Sequence, residues 1–278
     1  MTTITKQTKH MGVLEFKEVD KAKAKDMVIK NHYSHKWGTA FGVINIGVFR
    51  DNQLLGVAVF GHMMNPNSYK SIADIEKNEI IELNRLWISD DLGHNAETIT
   101  IGACWKILRK DYPHIKLVQS FADGRLGCGT IYKASNFKYY GNTTTLFYEN
   151  VETKEVKHNA LFNDGRHIGS MLNHNTDLLD GKLRAFKVKT YRYIYILDKK
   201  VDVKLNEKPY PSYDKGIDYV PIRYSDNLLG KLVLGYNAIN DKYHANKALA
   251  LIKGDSSKIL DEQMKHKYVN EFINKGVN

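Results

Sequence analysis

Apolar and polar positions change period several times along the chain, and each change marks an element. Val13-Leu14-Glu15-Phe16-Lys17-Glu18-Val19 alternates at period two, the pattern of an edge strand. Asp20 is placed to cap a helix that carries Ala22, Ala24, Met27 and Val28 to about Lys30. Two apolar runs, Phe41 to Phe49 and Gln53 to Phe60, meet at Arg50-Asp51-Asn52 and predict a hairpin. Both runs are apolar on both faces, so this hairpin belongs in the middle of a covered sheet. Gly61 to Ile75 then reads as a long loop containing Met63, Met64, Pro66 and Tyr69. Ile80 to Ile88 is a strand whose alternation puts Glu82 and Asn84 on one face. Ile81, Leu83, Arg85 and Trp87 fall on the other. A helix from Asn95 or Thr98 to Lys110 has the stripe Ile99, Ile101, Cys104, Trp105 and Leu108. A strand from Lys116 to Phe121 runs into Ala122-Asp123-Gly124, and a short helix restarts near Thr130. Phe137–Tyr140 and Thr143–Tyr148 predict a second hairpin turning at Tyr140-Gly141-Asn142.

The second half is less regular. Thr153 to Asn175 is polar without a clear period and reads as a connector. Lys182 to Leu197 alternates basic and aromatic residues, and period two puts Lys187, Lys189, Tyr191, Tyr193 and Tyr195 on one face. Lys199 to Tyr224 is turn-rich, with Pro209, Pro211, Pro221, Tyr210, Tyr213 and Tyr219, and predicts extended segments along the first half. Leu228 to Leu251 and Ile259 to Ile273 have helical spacing. The fold class is therefore α/β (α+β): a mixed central sheet flanked by helices over 1–150, then a basic, partly helical extension over 151–278.

Composition narrows the function. No apolar run approaches the ~20 residues a membrane span needs, and Met1 to Gly12 lacks the apolar run of a secretion signal. Two cysteines, Cys104 and Cys128, fit a reducing cytoplasm and small buried side chains. The net charge of +10 favours a polyanionic partner, nucleic acid first. The Lys-rich balance of an A/T-rich genome would give the same sum.

Three stretches carry candidate chemistry. Asp123 ends a strand at a Gly-rich loop, the place where open α/β sheets hold ligands. Arg85 shares a strand with large apolar groups, so its charge needs a partner or a ligand. His32, Tyr33 and Trp37 crowd the turn after the first helix. His158, His167 and His174 fit no zinc spacing. Lys187, Lys189 and Arg192 are the best phosphate-contacting candidates, and Trp37, Tyr69 and Tyr33 are candidates for stacking on a base.

The order of elements resembles the GNAT acyltransferase fold, a mixed sheet splayed beside a central strand. That resemblance implies an acyl-donor pyrophosphate on the N–H groups opening the helix after the fourth strand, here Gly93, Asn95 and Thr98. The Q/R-x-x-G-x-G/A spacing is absent, so the donor is unknown and acyl-CoA is only one candidate. More specifically, NHYSHKW, ELNRLWIS and SFADGRLGCGTIYKASNFKYYG resemble, in this order, the Mom family of phage proteins, over roughly residues 30 to 142. The resemblance implies a transferase that adds a carbamoylmethyl (glycinamide-like) group to adenine N6 in double-stranded DNA and blocks restriction. It places His32, Tyr33, Arg85, Asp123 and Tyr132 at the active site, with iron held by His32, Tyr33 and Asp123. The expected location is the cytoplasm of the phage's host, with a homo-oligomer left open. The rival readings are a GNAT acyltransferase acting on a small-molecule or protein amine, and a non-catalytic nucleic-acid-binding protein.

Overall fold

The alternation at residues 13 to 19 matures into an antiparallel edge. In the computed structural model, which describes residues 1–212 and 217–275, β1 (Ile4–Thr8) pairs with β2 (Gly12–Glu18). Asp20 caps α1 (Lys21–Asn31), accepting the Lys23 N–H. The hairpin then follows as β3 (Ile44–Arg50) and β4 (Gln53–Gly61). Asp51 and Asn52 both have positive φ, the conformation a two-residue hairpin turn demands. The expected loop after β4 holds one short turn of helix, α2 (Tyr69–Ile72). Next come β5 (Ile80–Ile88), α3 (Ala96–Asp111), β6 (Leu117–Asp123), α4 (Thr130–Ala134) and β7 (Lys138–Asn150).

The chain divides into two compact units, Met1–Thr143 with Thr190–Lys215, and Thr144–Lys189 with Gly216–Asn278. The expected division near residue 150 is thus replaced by a discontinuous one, because β9 (Leu183–Ile196) starts in the second unit and continues into the first.

In the first unit β1 to β5 are antiparallel neighbours in chain order, β6 joins β5 in parallel, and β9 pairs antiparallel with β6. This is the mixed, splayed sheet expected. Its main core lies between the sheet and α3, where Cys104, Ile107 and Leu108 are fully buried. Trp105 stacks on Tyr195 at 4.3 Å. A smaller cluster under α1 contains Val28, Phe41, Val57 and Val59. Both cysteines are free and buried, as their small apolar character suggested. The first part of the turn-rich stretch runs along this unit: Ala73 bridges to Val203, Tyr139 to Lys208, and Tyr210 donates to the Phe137 carbonyl. Its end, from Ile217 through Tyr219 to Tyr224, belongs instead to the second unit. Tyr213 lies outside the described residues.

Two expectations fail here. The hairpin at Tyr140-Gly141-Asn142 is absent; β7 runs through it as one strand. Gly141 takes a positive φ of 97° inside that strand, so its turn-forming freedom is used without reversing the chain. The polar connector is also structured, as β8 (Val156–His158), α5 (Ala160–Asn163) and α6 (Ile168–Leu179). Its apolar residues were sparse but well placed: Ile168, Met171 and Leu172 are buried on one face of α6.

In the second unit α6 packs with α7 (Asp226–Ala238) and α8 (Lys242–Ala250), and Tyr236 donates to the Leu172 carbonyl at 2.8 Å. The run of helical spacing over 228–251 is helical as expected, in two pieces: it breaks at Asn240, whose φ is 60°, and Asp241 caps the second. The last run likewise splits into α9 (Ser256–Met264) and α10 (Lys267–Lys275). A short β10 (Ile217–Val220) pairs with the beginning of β9. Among the described residues no helix is long and apolar enough to cross a membrane.

Candidate active site

The site follows from two irregularities in the sheet. The first is the splay. β5 and β6 pair only from Ile80–Glu82 to Leu117–Gln119, although β5 continues to Ile88 and β6 to Asp123. A cavity of about 310 Å³ is lined by the continuing ends of both strands, the loop after β6, and His32 and Tyr33 beyond α1. The second is a β-bulge. Arg85 lies opposite Val59, yet Leu83 lies opposite Phe60, so Asn84 is an extra residue on β5. Period-two alternation therefore does not hold across it. Ile81 and Leu83 enter the main core, whereas the Arg85 guanidinium lies 4.6 Å from the Phe41 ring centroid in the α1 cluster. The expectation that Arg85 shares a face with Ile81 and Leu83 is corrected by that one residue.

Each cavity side chain has a definite state. His32 follows the end of α1, donates its backbone N–H to the Val28 carbonyl, and is 6% exposed. Its Nδ1 accepts the Ser34 backbone N–H at 3.1 Å, so the neutral ring carries its proton on Nε2. Burial, then the charges of Arg85 and His35, hold its pKa down to about 4. Tyr33 lies against the His32 ring at 4.3 Å; partial burial and then the Asp123 charge raise its pKa, so it is a neutral phenol. Arg85 donates from Nη1 to the Asn84 carbonyl at 2.7 Å, while its buried Nε has no partner. Burial lowers its pKa from the usual arginine value.

Asp123, at the end of β6, is gripped by Arg125. The Arg125 Nε lies 3.0 Å from both carboxylate oxygens, Nη2 donates to Oδ2, and the backbone N–H donates to Oδ1. Tyr132 is buried in α4 against Tyr193, with ring centroids 5.0 Å apart. Its hydroxyl is 2.9 Å from Ser120 Oγ, which is also 2.9 Å from the Leu83 carbonyl. Ser120 has one proton; given to Leu83, it leaves Tyr132 as the donor to Ser120. Burial pushes the Tyr132 phenol up to about 12. Gly129 has a φ of 86°, and a Cβ there would meet Ala122 Cβ at 2.8 Å, so this glycine serves close packing.

Five residues, His32, Tyr33, Arg85, Asp123 and Tyr132, thus line one cavity. The Mom protein family matches residues 13–212. The chain belongs to this family. Methylcarbamoylase mom of Escherichia phage Mu is 34% identical over 197 residues, covering 68% of this chain and 79% of that protein. Among solved structures, a putative GNAT-family acetyltransferase from Desulfovibrio desulfuricans aligns with 66% of this chain and 99% of its own, at 8% identity and a TM-score of 0.36. An N-acetyltransferase from Staphylococcus aureus Mu50 aligns with 66% and 97%, at 11% and 0.37. These two scores are too low to add to the topology already described.

Iron does not fit the three residues that the Mom resemblance assigns to it. Nε2 of the neutral His32 presents an N–H where a ligand needs a lone pair, because Nδ1 is already an acceptor. Both oxygens of Asp123 are engaged by Arg125, and Arg85 adds a second cation to the cavity wall.

The other candidates disperse. Gly93 and Asn95 line a separate cavity of about 590 Å³ with Lys6–Met11 and Asp90–Leu92, whereas Thr98 is not in its lining. Trp37 packs edge-on to Phe41, and Tyr69 packs partly buried beside Met63 and Ile72, so neither lines the active cavity. On β9 the one-face reading also changes. β9 has neighbours on both sides in the sheet, and Tyr191 and Tyr193 are 2% and 1% exposed, packed as core. Lys187 is exposed, Lys189 half-buried, and Arg192 half-buried with its guanidinium 5.6 Å from the Phe121 ring centroid.

Sequence reasoning missed Arg125 and Glu82. Asp-Gly-Arg in a tight turn was the available signal for the first, since a side chain two residues on can fold back to the carboxylate. Glu82 gave a weaker one, as a lone acid in an apolar strand.

Proposed function

We propose that this chain is a DNA-modifying transferase that attaches a carbamoylmethyl-type group to N6 of adenine in double-stranded DNA, protecting phage DNA from restriction. The convergence of His32, Tyr33, Arg85, Asp123 and Tyr132 on one cavity at the splay carries the reading. An adenine N6 amine is a weak nucleophile, since its lone pair is delocalised into the ring. It needs an electrophilic donor carbon, a base and a group that stabilises the departing charge.

In this cavity the N6–carbon bond forms as the bond from that carbon to its leaving group breaks. Asp123 takes the amine proton once Arg125 yields one carboxylate oxygen. Arg85 faces the charge gathering on the leaving group, and Tyr132 protonates it, drawing on Ser120 to reorient its hydroxyl. His32 contributes a fixed N–H donor, and Tyr33 a neutral phenol, to orient base or donor. The target base has to leave the helix stack to reach such a cavity. No step passes through a metal.

Digestion of DNA from cells expressing the protein, followed by mass spectrometry, tests this. A heavier adenosine with the mass of a carbamoylmethyl addition is expected. Arg85→Ala and Asp123→Ala each abolish it, with circular dichroism unchanged. Unmodified adenosine from cells that make soluble wild-type protein removes the reading.

A further inference from the structure

Arg85 is linked, through Asn84, to a residue outside the cavity lining. Glu82 is 5% exposed and lies on β5 at the last position paired with β6, where the strands begin to part. Its Oε1 accepts from Asn84 Nδ2 at 2.9 Å, and its Oε2 from Gln119 Nε2 at 3.3 Å. Asn84 is the extra residue of the bulge, and its carbonyl accepts from Arg85 Nη1 at 2.7 Å. Two hydrogen bonds, joined through the covalent frame of Asn84, therefore link a buried carboxylate to the candidate catalytic guanidinium.

A carboxylate this deep is costly without compensation, and so is a half-buried guanidinium whose Nε has no partner. Hydrogen bonds from Gln119 and Asn84 offset the cost for Glu82 first, and the opposite charges of Glu82 and Arg85 add to that. The burial that raises the Glu82 pKa is opposed first by the hydrogen bonds from Gln119, Asn84 and the Met64 backbone and then by the charge of Arg85; the burial that lowers the Arg85 pKa is opposed by Tyr33 and then by Glu82. Other anions at the cavity are committed or absent: Asp123 is held by Arg125, and the phenols of Tyr33 and Tyr132 are neutral. Glu82 is left as the counter-charge.

We propose that Glu82 is the positioning residue for Arg85: it supplies the buried counter-charge and, through Asn84, anchors the bulge that aims the guanidinium into the cavity. This rests on the transferase reading above and adds a residue to it. Reaction geometry is steep in distance, and a misplacement of about 1 Å can cost ~100-fold in rate.

The decisive variant is Glu82→Gln, which keeps volume and an acceptor for Asn84 but removes the charge. Two measurements apply: the rate at which modified adenosine accumulates in expressing cells, per unit of soluble protein, and the Arg85 Nε–H resonance of purified ¹⁵N-arginine-labelled protein. We expect Glu82→Gln to melt like the wild type, to modify DNA ~100-fold more slowly, and to shift the Arg85 resonance. In an Arg85→Lys background it adds no further loss, because the two act as a unit. A purely structural glutamate would leave the resonance in place and lower both backgrounds by the same factor, which overturns the proposal. Should Glu82→Gln fail to fold, Asn84→Ala breaks the same link with the charge kept; wild-type modification and an unshifted resonance in that variant overturn it equally. Wild-type protein that leaves adenosine unmodified defeats the transferase reading, whereas an undiminished Glu82→Gln beside an active wild type defeats only the positioning role.

Discussion

His32 shows how a single residue is committed by its surroundings. The Ser34 N–H fixes which ring nitrogen is bare, and burial beside Arg85 keeps the ring neutral. The consequence for stability has a definite sign. The folded-state pKa of about 4 lies below the ordinary 6.5, so the unfolded chain binds the proton first. The contribution is complete above pH 6.5 and is lost as pH falls toward 4, on the order of 3 kcal/mol in full. Urea unfolding of wild type and His32→Gln at neutral pH and near pH 4.5 measures it. Wild type is expected to lose more stability on acidification than the variant, whose carboxylates titrate in the same way. Equal losses would show that His32 titrates normally.

At this scale Asp123, Arg85 and the His32-Tyr33 pair were legible in the sequence, because polar groups in apolar or turn settings are conspicuous. Arg125 was not, since an arginine in a glycine-rich turn reads as a solvated charge. Glu82 was not either, because alternation placed it on one face of β5 without showing that this face is buried.

Among the elements, β5 decides most. Its bulge cannot be read from a period-two pattern, which assumes that every residue has one partner across the strand. Gly61 in β4 is the matching adaptation. It pairs with Glu82, and a Cβ there would sit 2.1 Å from the Ala40 carbonyl oxygen and 2.4 Å from Asn84 Oδ1. The Ala40 oxygen is backbone, as is Phe41 Cα at 2.8 Å, so Gly61→Ala has to move the backbone even where the Asn84 side chain turns away. A cost of about 3 kcal/mol or more is expected, at the upper end of overpacking in a core, with a matching drop in melting temperature. Retained stability would mean that the strand and the bulge give way easily. The same limit of local pattern explains β7. Tyr-Gly-Asn is a sound turn signal, but the Tyr139–Lys208 bridge draws on a segment far along the chain, which no short window contains.

For the whole molecule, chain order and spatial order part company at β9. Local patterning placed a boundary near residue 150, yet the first unit takes back Thr190–Lys215. β9 pairs with β6 from Leu117–Ile196 to Asp123–Thr190, along the very strand that ends in the candidate base. It also supplies Tyr193, which stacks on Tyr132 and donates to the Cys128 carbonyl, and Tyr195, which stacks on Trp105. A fragment of residues 1–150 would keep all five cavity residues and still lose the wall behind them. The exposed edge of β6 would have no partner for its N–H and C=O groups, and an open apolar edge of this kind promotes association. We therefore expect the 1–150 fragment to be poorly soluble, without a cooperative thermal transition and without the near-ultraviolet circular dichroism of packed tyrosines and tryptophans, while the full chain has both. A soluble fragment that melts cooperatively would show that β9 is dispensable to the site; failure to fold places the second half of the chain inside the catalytic core.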